Sequence, residues 1–353
     1  MLKAVLFCAN PYAFGILKPL HDTLVELHHE VVWYIPERIA PKCPFINEVK
    51  VFNSIKEVYV YKSDAIFVPG NEVPNYLKGV KVQVFHGLAG EKKGHFRIRG
   101  YFDLYLTQGP YFTKRFTELS NHYGNFEVVE TGWCKLDPLY RLASTIGNEK
   151  TTILQKHGKQ KIVLYAPTFS PSLTSAPGAI DHIFNLACKL NIYLMVKFHD
   201  LMNSETVESY KTKAKIFDNV EVVEDSNIIK YLSLADLMIS DTSSAVYEFL
   251  LLDKPVVTIC SNAETIQWQN ILKPEDLITV VEQELECSQF AAQRKRVIEA
   301  YHPYSDGKSS ARMVNAVENF IERNGIPDSR KLNLYRRHKI KKLFGPKPQI
   351  NKP

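Results

Sequence analysis

The sequence has no uninterrupted apolar run of about 18 residues, the length a membrane-spanning helix needs, so we expect no such helix. Its six cysteines are scattered, with no CxxC pair and no metal-ligand spacing. This pattern predicts free thiols in a reducing compartment, the cytoplasm. The N-terminal apolar run meets Asn10-Pro11 at once; it is too short for a signal-peptide core and predicts a first β-strand.

Four sequence signatures are also absent. There is no GxGxxG after the first strand and no GxxxxGK[ST], which argues against a dinucleotide site of that type and against a P-loop hydrolase. There is no GxSxG. No DxD occurs, which removes the usual metal anchor of single-domain nucleotide-sugar transferases. We therefore expect neither a metal nor another cofactor, and phosphate charge would be stabilised by helix N-termini, lysine, arginine and histidine.

The formal net charge of +6 is concentrated at the C-terminal end. From Asp328 to Pro353 there are nine basic residues and one acidic residue, so this segment carries +8 and the remainder −2. A nearly neutral body argues against nucleic acid as a partner. Basic segments attract anionic lipid headgroups by about 1 kcal/mol per cation near the surface, which predicts contact with a membrane. A disordered, solubilising end is the alternative, and a basic segment can also contact RNA.

Apolar runs and helical spacing alternate along the chain, which predicts an α/β protein with two doubly wound, Rossmann-like domains. In the first part, strands are predicted at 3–8, 30–35, 65–68, 80–85, 103–107 and 126–130, with helices at 16–28 and 111–120. In the second part, strands are predicted at 162–166, 192–198, 220–223, 237–239 and 277–281, with helices at 180–190, 227–234, 288–301 and 309–321.

The domain prediction is an N-terminal domain at 1–145, a C-terminal domain at 160–326 and a basic tail at 327–353. The polar segment between Tyr140 and Lys161 is interpreted as the linker. Two such domains would face each other across a cleft, and ligands of doubly wound sheets bind at the carboxyl ends of the strands. Site residues are therefore expected where strands end.

One stretch organises the second part: an apolar run at Leu237–Ile239, a polar turn at Asp241–Ser244, and a short helix before Lys254-Pro255. A strand of a parallel sheet is apolar nearly throughout, as this run is. The turn places hydroxyls and free N–H groups at the positive end of a helix dipole, which suits phosphate. A helix cap is the alternative, because serine, threonine and aspartate are the preferred capping residues.

Two histidines follow predicted strands, one in each half of the chain. His86 precedes a glycine-containing loop, and a histidine there can act as a general base on a hydroxyl. His199 follows the strand 192–198 and could bind a phosphate oxygen or stabilise a leaving group. The alternative for each is a histidine that only hydrogen-bonds its loop.

A second turn, Asp306–Arg312, leads into a helix and offers N–H groups, hydroxyls and two cations. These groups suit phosphate as well. A capped helix start with solvated charges is the alternative.

Taken together, these segments resemble the CDP-glycerol glycerophosphotransferases of teichoic acid and capsule synthesis, two-domain transferases of the GT-B type. His86-Gly87, with Lys92 or Lys93 soon after, is similar to the family's HGTxxK segment, and Tyr165–Thr168 is similar to its YAPTW segment. Lys197–His199 resembles its second histidine motif. Ser240–Ser244 with Glu248–Pro255 is similar to SDYSS…EYLLLDKP, and Asp306–Arg312 to DGKASxR.

The resemblance implies a CDP-polyol donor, such as CDP-glycerol, bound mainly on the second domain. His86 would be the base for the acceptor hydroxyl, and His199 would contact the donor phosphates as CMP leaves. The other implied positions fall into three groups: donor phosphates at Asp241, Ser243, Ser244, Lys308, Ser309 and Arg312; the nucleotide side of the cleft at Thr168 and Glu248; and an acceptor loop at Gly87, Lys92 and Lys93.

The resemblance further implies a glycan or lipid-linked acceptor and an enzyme at the inner face of the cell membrane. The sequence departs from the family pattern at Leu88-Ala89, at Asp200 and at Thr242, where the family has Thr-Pro, proline and tyrosine. Three alternatives stay open: a GT-B glycosyltransferase that uses a nucleotide sugar, an NDP-sugar epimerase that needs no acceptor, and a non-catalytic scaffold.

Overall fold

The computed structural model describes residues 1–88, 94–143, 145–225, 228–263 and 266–349. The chain divides into two compact units. Unit 1 comprises Met1–Asp137 and Tyr301–Pro353, and unit 2 comprises Pro138–Ala300. Lys92 and Lys93 of the predicted acceptor loop, and residues 350–353 of the predicted tail, lie outside the described residues.

All strands of the described residues belong to two parallel sheets. The strands of unit 1 are β1 Lys3–Phe7, β2 Glu30–Tyr34, β3 Val51–Phe52, β4 Ala65–Val68, β5 Val80–Gln83, β6 Leu104–Thr107 and β7 Glu127–Glu130. Those of unit 2 are β8 Lys161–Tyr165, β9 Ile192–Lys197, β10 Val220–Val223, β11 Leu237–Ser240, β12 Val256–Ile259 and β13 Gln269–Ile271. This arrangement confirms the predicted α/β class.

The helices fill most of the connections between the strands. They are α1 Ala13–Glu26, α2 Ile55–Tyr61, α3 Pro110–Tyr123, α4 Asp137–Ala143, α5 Gly147–His157, α6 Ala176–Lys189, α7 Ser204–Ala214, α8 Ile228–Leu234, α9 Ala245–Leu250, α10 Leu277–Glu286, α11 Ala291–Tyr301, α12 Ser309–Asn324 and α13 Leu334–Phe344. Residues 277–281, predicted as a strand, instead begin α10, whose buried residues Leu277, Val281 and Glu284 have helical spacing. None of these helices is both long and apolar enough to cross a bilayer. The six cysteines are free thiols, as predicted.

Each sheet reverses its strand order beside its first strand. The order is β3-β2-β1-β4-β5-β6-β7 in unit 1 and β10-β9-β8-β11-β12-β13 in unit 2. The central strands are buried along their whole length, as β4 and β11 show, because helices cover both faces of a doubly wound sheet. The reversal leaves a crevice at the carboxyl ends of the strands, which is where such sheets bind ligands.

The segment 140–161, predicted as a linker, contains most of α4 and all of α5. Ion pairs link α5 to the rest of unit 2. Glu149 pairs with Lys230 at 2.6 Å, and Lys150 pairs with Asp236. Gly158 then ends α5 in the left-handed conformation.

The C-terminal part of the chain is grouped differently from the prediction. Residues 301–326 were assigned to the second domain, but Tyr301–Pro353 belongs to unit 1. Fully buried His302 lies in this part, and its Nε2 accepts the Trp133 N–H at 3.0 Å. At the far end of α12, Arg323 pairs with Glu127 of β7 at 2.9 Å.

We predict that His302 makes the protein less stable in mild acid. Burial lowers the pKa of His302 from 6.5 to about 4. The unfolded chain therefore binds the proton first, and the free energy of unfolding falls as pH drops from about 6.5 towards about 4. Between roughly pH 7 and pH 5 the loss attributable to His302 is about 2 kcal/mol. Denaturation of His302→Gln, which retains an acceptor for the Trp133 N–H, should show a smaller pH dependence than the unmodified protein.

His122→Gln is the matched control, because His122 is exposed on α3. Its pH dependence should equal that of the unmodified protein. An equal pH dependence for His302→Gln would contradict the prediction.

Candidate active site

The carboxyl edge of the unit 2 sheet is organised by Asp241, which follows β11 and is fully buried. Its Oδ1 accepts the Thr168 N–H at 2.8 Å, and its Oδ2 accepts the N–H and Oγ–H of Ser175 at 2.9 and 3.0 Å. Beside it, the Ser240 hydroxyl donates to the Ala166 carbonyl at 2.7 Å. These bonds join the loop after β8 to the turn after β11, at the point where the strand order reverses.

The structure therefore gives Asp241 a different role from the predicted phosphate contact. Burial raises the pKa of Asp241, whereas the hydrogen bonds from Ser175 and Thr168 lower it. Its two oxygens are occupied by protein donors, and an ionised carboxylate has no proton to give to a phosphate. We assign Asp241 to the positioning of the two loops.

The turn itself is held by a reciprocal pair of hydrogen bonds. Thr242 Oγ1 donates to Asn262 Oδ1 at 2.9 Å and accepts the Asn262 N–H at 3.2 Å. Ser243 Oγ accepts the Ala245 N–H at 3.3 Å. Ser243 therefore binds an N–H at the start of α9, as the helix-cap alternative predicted. Ser244 makes no side-chain capping bond and is exposed. The predicted phosphate-binding hydroxyls thus lie on a fixed backbone at the carboxyl edge of the sheet.

The two predicted nucleotide contacts differ in their exposure. Thr168 is half-buried, and its N–H is the group bound by Asp241. Glu248 is buried within α9. Their contact with a nucleotide stays a prediction.

His199 lies two residues after the end of β9, at the same edge, and is exposed. Its Nδ1 accepts the Leu201 N–H at 3.1 Å, and its ring centroid lies 4.4 Å from that of Phe169. Partial burial lowers the pKa of His199, although the Asp200 carboxylate opposes this. Because Nδ1 accepts, the neutral ring carries its proton on Nε2. His199 is therefore a hydrogen-bond donor.

His86 follows β5 in unit 1 and has the opposite tautomer. Its Nδ1 lies 2.9 Å from the Pro69 carbonyl, which can only accept, so Nδ1 carries the proton and Nε2 has the free lone pair. The Tyr12 ring lies 5.4 Å from the His86 ring, centroid to centroid. The adjacent Gly87 carbonyl accepts from Gln108 Nε2 at 3.0 Å. His86 is thus arranged to accept a proton.

The turn before α12 lies in unit 1, and its N–H groups already have an anionic partner. The N–H groups of Ser309 and Ser310 donate to the two Asp137 oxygens at 2.8 and 2.7 Å, and the Ser310 hydroxyl adds a bond of 2.6 Å. All three residues are buried. Asp137 therefore neutralises the helix N-terminus that the sequence predicted for donor phosphate. The sequence analysis missed Asp137, whose only signal there was a carboxylate between two apolar residues, Leu136 and Pro138.

The remaining charges of that turn also have protein contacts. Arg312 donates to the Thr131 carbonyl at 2.8 Å and pairs with Asp306 at 2.8 and 3.2 Å. Its guanidinium lies 4.2 Å from the centre of the Tyr304 ring. Lys308 is exposed, although its backbone N–H bonds to Asp306. The turn supports the fold of unit 1, and the side chain of Lys308 is exposed to solvent.

Within the ranges described above, no group of three or more histidine, cysteine, aspartate and glutamate side chains is placed to hold a metal ion.

Comparison with protein families shows which family this chain belongs to. The model of the CDP-Glycerol:Poly(glycerophosphate) glycerophosphotransferase family matches residues 20–319. The chain belongs to this family. The resemblance inferred from the motifs is confirmed, and the protein is a transferase-family enzyme.

Characterised relatives and solved structures agree with this assignment. The chain is 23% identical over 316 residues to the teichoic acid glycerol-phosphate primase of Bacillus subtilis strain 168, covering 78% of this chain and 79% of the primase. The structure of the wall teichoic acid polymerase TagF has a TM-score of 0.64 at 15% identity, covering 91% of this chain and 89% of TagF.

An epimerase has the same fold. The UDP-GlcNAc 2-epimerase of Neisseria meningitidis has a TM-score of 0.60 at 14% identity, covering 90% of this chain and all of the epimerase. These likenesses confirm the GT-B fold, and the family match separates the transferase from the epimerase.

We predict that Asp241→Asn destabilises unit 2 by about 1–3 kcal/mol, because the amide nitrogen cannot accept the N–H or O–H that one carboxylate oxygen accepts now. Chemical denaturation measures the loss. Thr242→Val is the control; it removes one side-chain pair at a partly exposed site and should cost less. Equal stability of Asp241→Asn and the unmodified protein would show that Asp241 does not hold the loops.

Proposed function

We propose that this enzyme transfers glycerol phosphate, or a related polyol phosphate, from a CDP-activated donor to a hydroxyl of a glycan or lipid-linked acceptor. The acceptor oxygen forms a bond to the distal phosphorus of the donor, the bond from that phosphorus to the bridging oxygen breaks, and CMP leaves. The observation that carries the proposal is the pair of strand-exit histidines with opposite tautomers. One can take a proton and the other can donate a hydrogen bond.

His86 is the general base in this proposal. The Pro69 carbonyl holds the proton on Nδ1, so Nε2 can accept the proton of the acceptor hydroxyl as the new bond forms. The ring is exposed, which lets an acceptor reach it. General-base catalysis of this kind contributes about 10²–10⁴-fold to the rate.

His199 stabilises the donor phosphates through its Nε2–H. The Leu201 N–H fixes the tautomer of His199, so its Nε2–H group is oriented before the substrate binds. We propose that the hydroxyls of Ser243 and Ser244 contact the same phosphates, because they lie on the turn that Asp241 and Asn262 hold. Thr168 and Glu248 remain the proposed nucleotide contacts, supported by the family resemblance.

The second turn contributes less than the sequence implied. Ser309 donates its N–H to Asp137, and Arg312 is bound to Asp306 and Thr131. Lys308 is therefore the proposed phosphate contact of this turn. Gly87, with Lys92 and Lys93, remains the proposed acceptor loop.

We place the reaction in the synthesis of a teichoic acid or capsule polymer at the inner face of the cell membrane. The family match and the teichoic acid enzymes among the relatives support this setting. A lipid-linked acceptor would bring the enzyme to that surface as a peripheral protein.

The first kinetic prediction concerns His86. With CDP-glycerol and a lipid-linked or oligosaccharide acceptor, His86→Ala and His86→Gln should both lower kcat by about 10²–10⁴-fold, because neither side chain is basic. CMP release measures the rate. His122→Ala, an exposed histidine on α3, is the control and should keep full activity. Turnover of a nucleotide sugar with none of any CDP-polyol would refute the proposal, and turnover without an acceptor would favour an epimerase.

The second kinetic prediction concerns His199, the hydrogen-bond donor. His199→Ala should lower activity by about 10²–10³-fold, the usual effect of losing one donor to a developing charge. His199→Gln keeps an N–H near the Nε2 position and should recover part of that loss. Equal activity of the alanine and glutamine variants would contradict a donor role for His199.

A further inference from the structure

The C-terminal basic segment contains a helix, α13, that is docked on unit 1. The Phe344 ring packs edge-on against Phe7 at the end of β1, with ring centroids 5.6 Å apart. The Tyr76 hydroxyl donates to the Gly345 carbonyl at 3.2 Å. Ile340, one turn before Phe344, is buried. One side of α13 is therefore fixed to the unit.

The segment that leads into α13 is anchored more deeply. The Arg330 guanidinium pairs with Asp103, and both side chains are about nine-tenths buried. It also donates to the Gly100 carbonyl at 2.7 Å. Lys339 on α13 then pairs with Glu72 at 2.7 Å. Deleting the segment would leave a buried carboxylate unpaired, so substitutions on the exposed side are the better probe.

The exposed side of α13 is cationic. Arg337, His338, Lys341 and Lys342 are exposed, and Arg337 and Lys341 flank the docked residues Ile340 and Phe344. No acidic residue occurs between residues 329 and 349. The exposed side thus has positive charge without an anion on the same helix to neutralise it.

The same side also exposes apolar surface. Leu334 and Tyr335, in the first turn of α13, are 80% and 70% exposed. At helical spacing they lie beside the cations, with Leu334 one turn before Arg337 and His338. An aromatic and a leucine beside several cations are typical of helices that lie in the headgroup region of a bilayer.

We infer that the exposed side of α13, formed by Leu334, Tyr335, Arg337, Lys341 and Lys342, is the surface through which this protein binds an anionic membrane. This inference rests on the proposed function only for its setting at a membrane. RNA would also be attracted by the cations, but it gains nothing specific from exposed Leu334. The apolar residues therefore favour a lipid surface.

The position of α13 gives this surface a further consequence. Lys339 contacts Glu72, which lies three residues after Pro69, the residue whose carbonyl orients His86. The helix and the proposed base are therefore held by the same segment of unit 1. A membrane bound by α13 would bring a lipid-linked acceptor to the part of the unit that contains His86.

The test measures binding of the full-length protein to vesicles of equimolar phosphatidylcholine and phosphatidylglycerol. Arg337→Gln/Lys341→Gln/Lys342→Gln should lower the partition coefficient by roughly a hundredfold, from about fivefold per cation. Leu334→Ser/Tyr335→Ser, which preserves the charge, should lower it by about tenfold. High salt should weaken binding of the unmodified protein.

The control is Lys156→Gln/Lys189→Gln/Lys215→Gln, which changes the net charge equally at exposed lysines of unit 2. It should bind vesicles nearly as well as the unmodified protein. Equal losses in the control and the α13 variants would overturn the inference, because net charge alone would then explain binding. Binding to single-stranded RNA that needs the cations but not Leu334 and Tyr335, with no vesicle binding, would overturn it in favour of RNA.

Activity on a soluble acceptor separates this inference from the proposed function. The α13 variants should keep the CMP release rate of the unmodified protein with CDP-glycerol and an oligosaccharide. Vesicle binding unaffected by the substitutions, with normal activity, would overturn the membrane surface alone. Vesicle binding as predicted, with no turnover of any CDP-polyol, would refute the proposed function alone.

Discussion

The candidate donor site depends on one buried carboxylate. Asp241 closes the end of β11 by accepting hydrogen bonds from Thr168 and Ser175, both in the loop after β8. These two loops meet where the sheet reverses its strand order, the usual ligand position of a doubly wound sheet. The carboxylate holds the loop after β8 against the turn that contains Ser243 and Ser244. Preorganised groups of this kind can stabilise phosphate charge.

Backbone groups then give the two histidines different chemistry. A carbonyl oxygen, that of Pro69, holds the proton of His86 on Nδ1, whereas an N–H, that of Leu201, holds the proton of His199 on Nε2. Two rings of the same residue type thus become an acceptor and a donor. This division suits a transfer in which one hydroxyl loses a proton while phosphate charge develops elsewhere, and it agrees with the glycerophosphotransferase family.

Local patterns predicted much of the fold, and long-range contacts explain the rest. Strand β4 was predicted to the residue, and both histidines were placed at strand ends, because buried parallel strands have an unmistakable apolar pattern. Strand β3 is only two residues long, too short for any periodicity. The assignment of α12 differed because Asp137 and Ser309 are 172 residues apart, a contact no local pattern reveals. Likewise, composition showed a basic tail but not the buried partner of Arg330.

The protonation sites of the two histidines can be observed directly. Nitrogen-15 NMR of the histidine-labelled protein, with signals assigned through His86→Gln and His199→Gln, distinguishes a protonated ring nitrogen from an unprotonated one. The structure predicts that neutral His86 is protonated at Nδ1 and neutral His199 at Nε2. The same tautomer at both histidines, or the reverse pair, would contradict the division into base and donor.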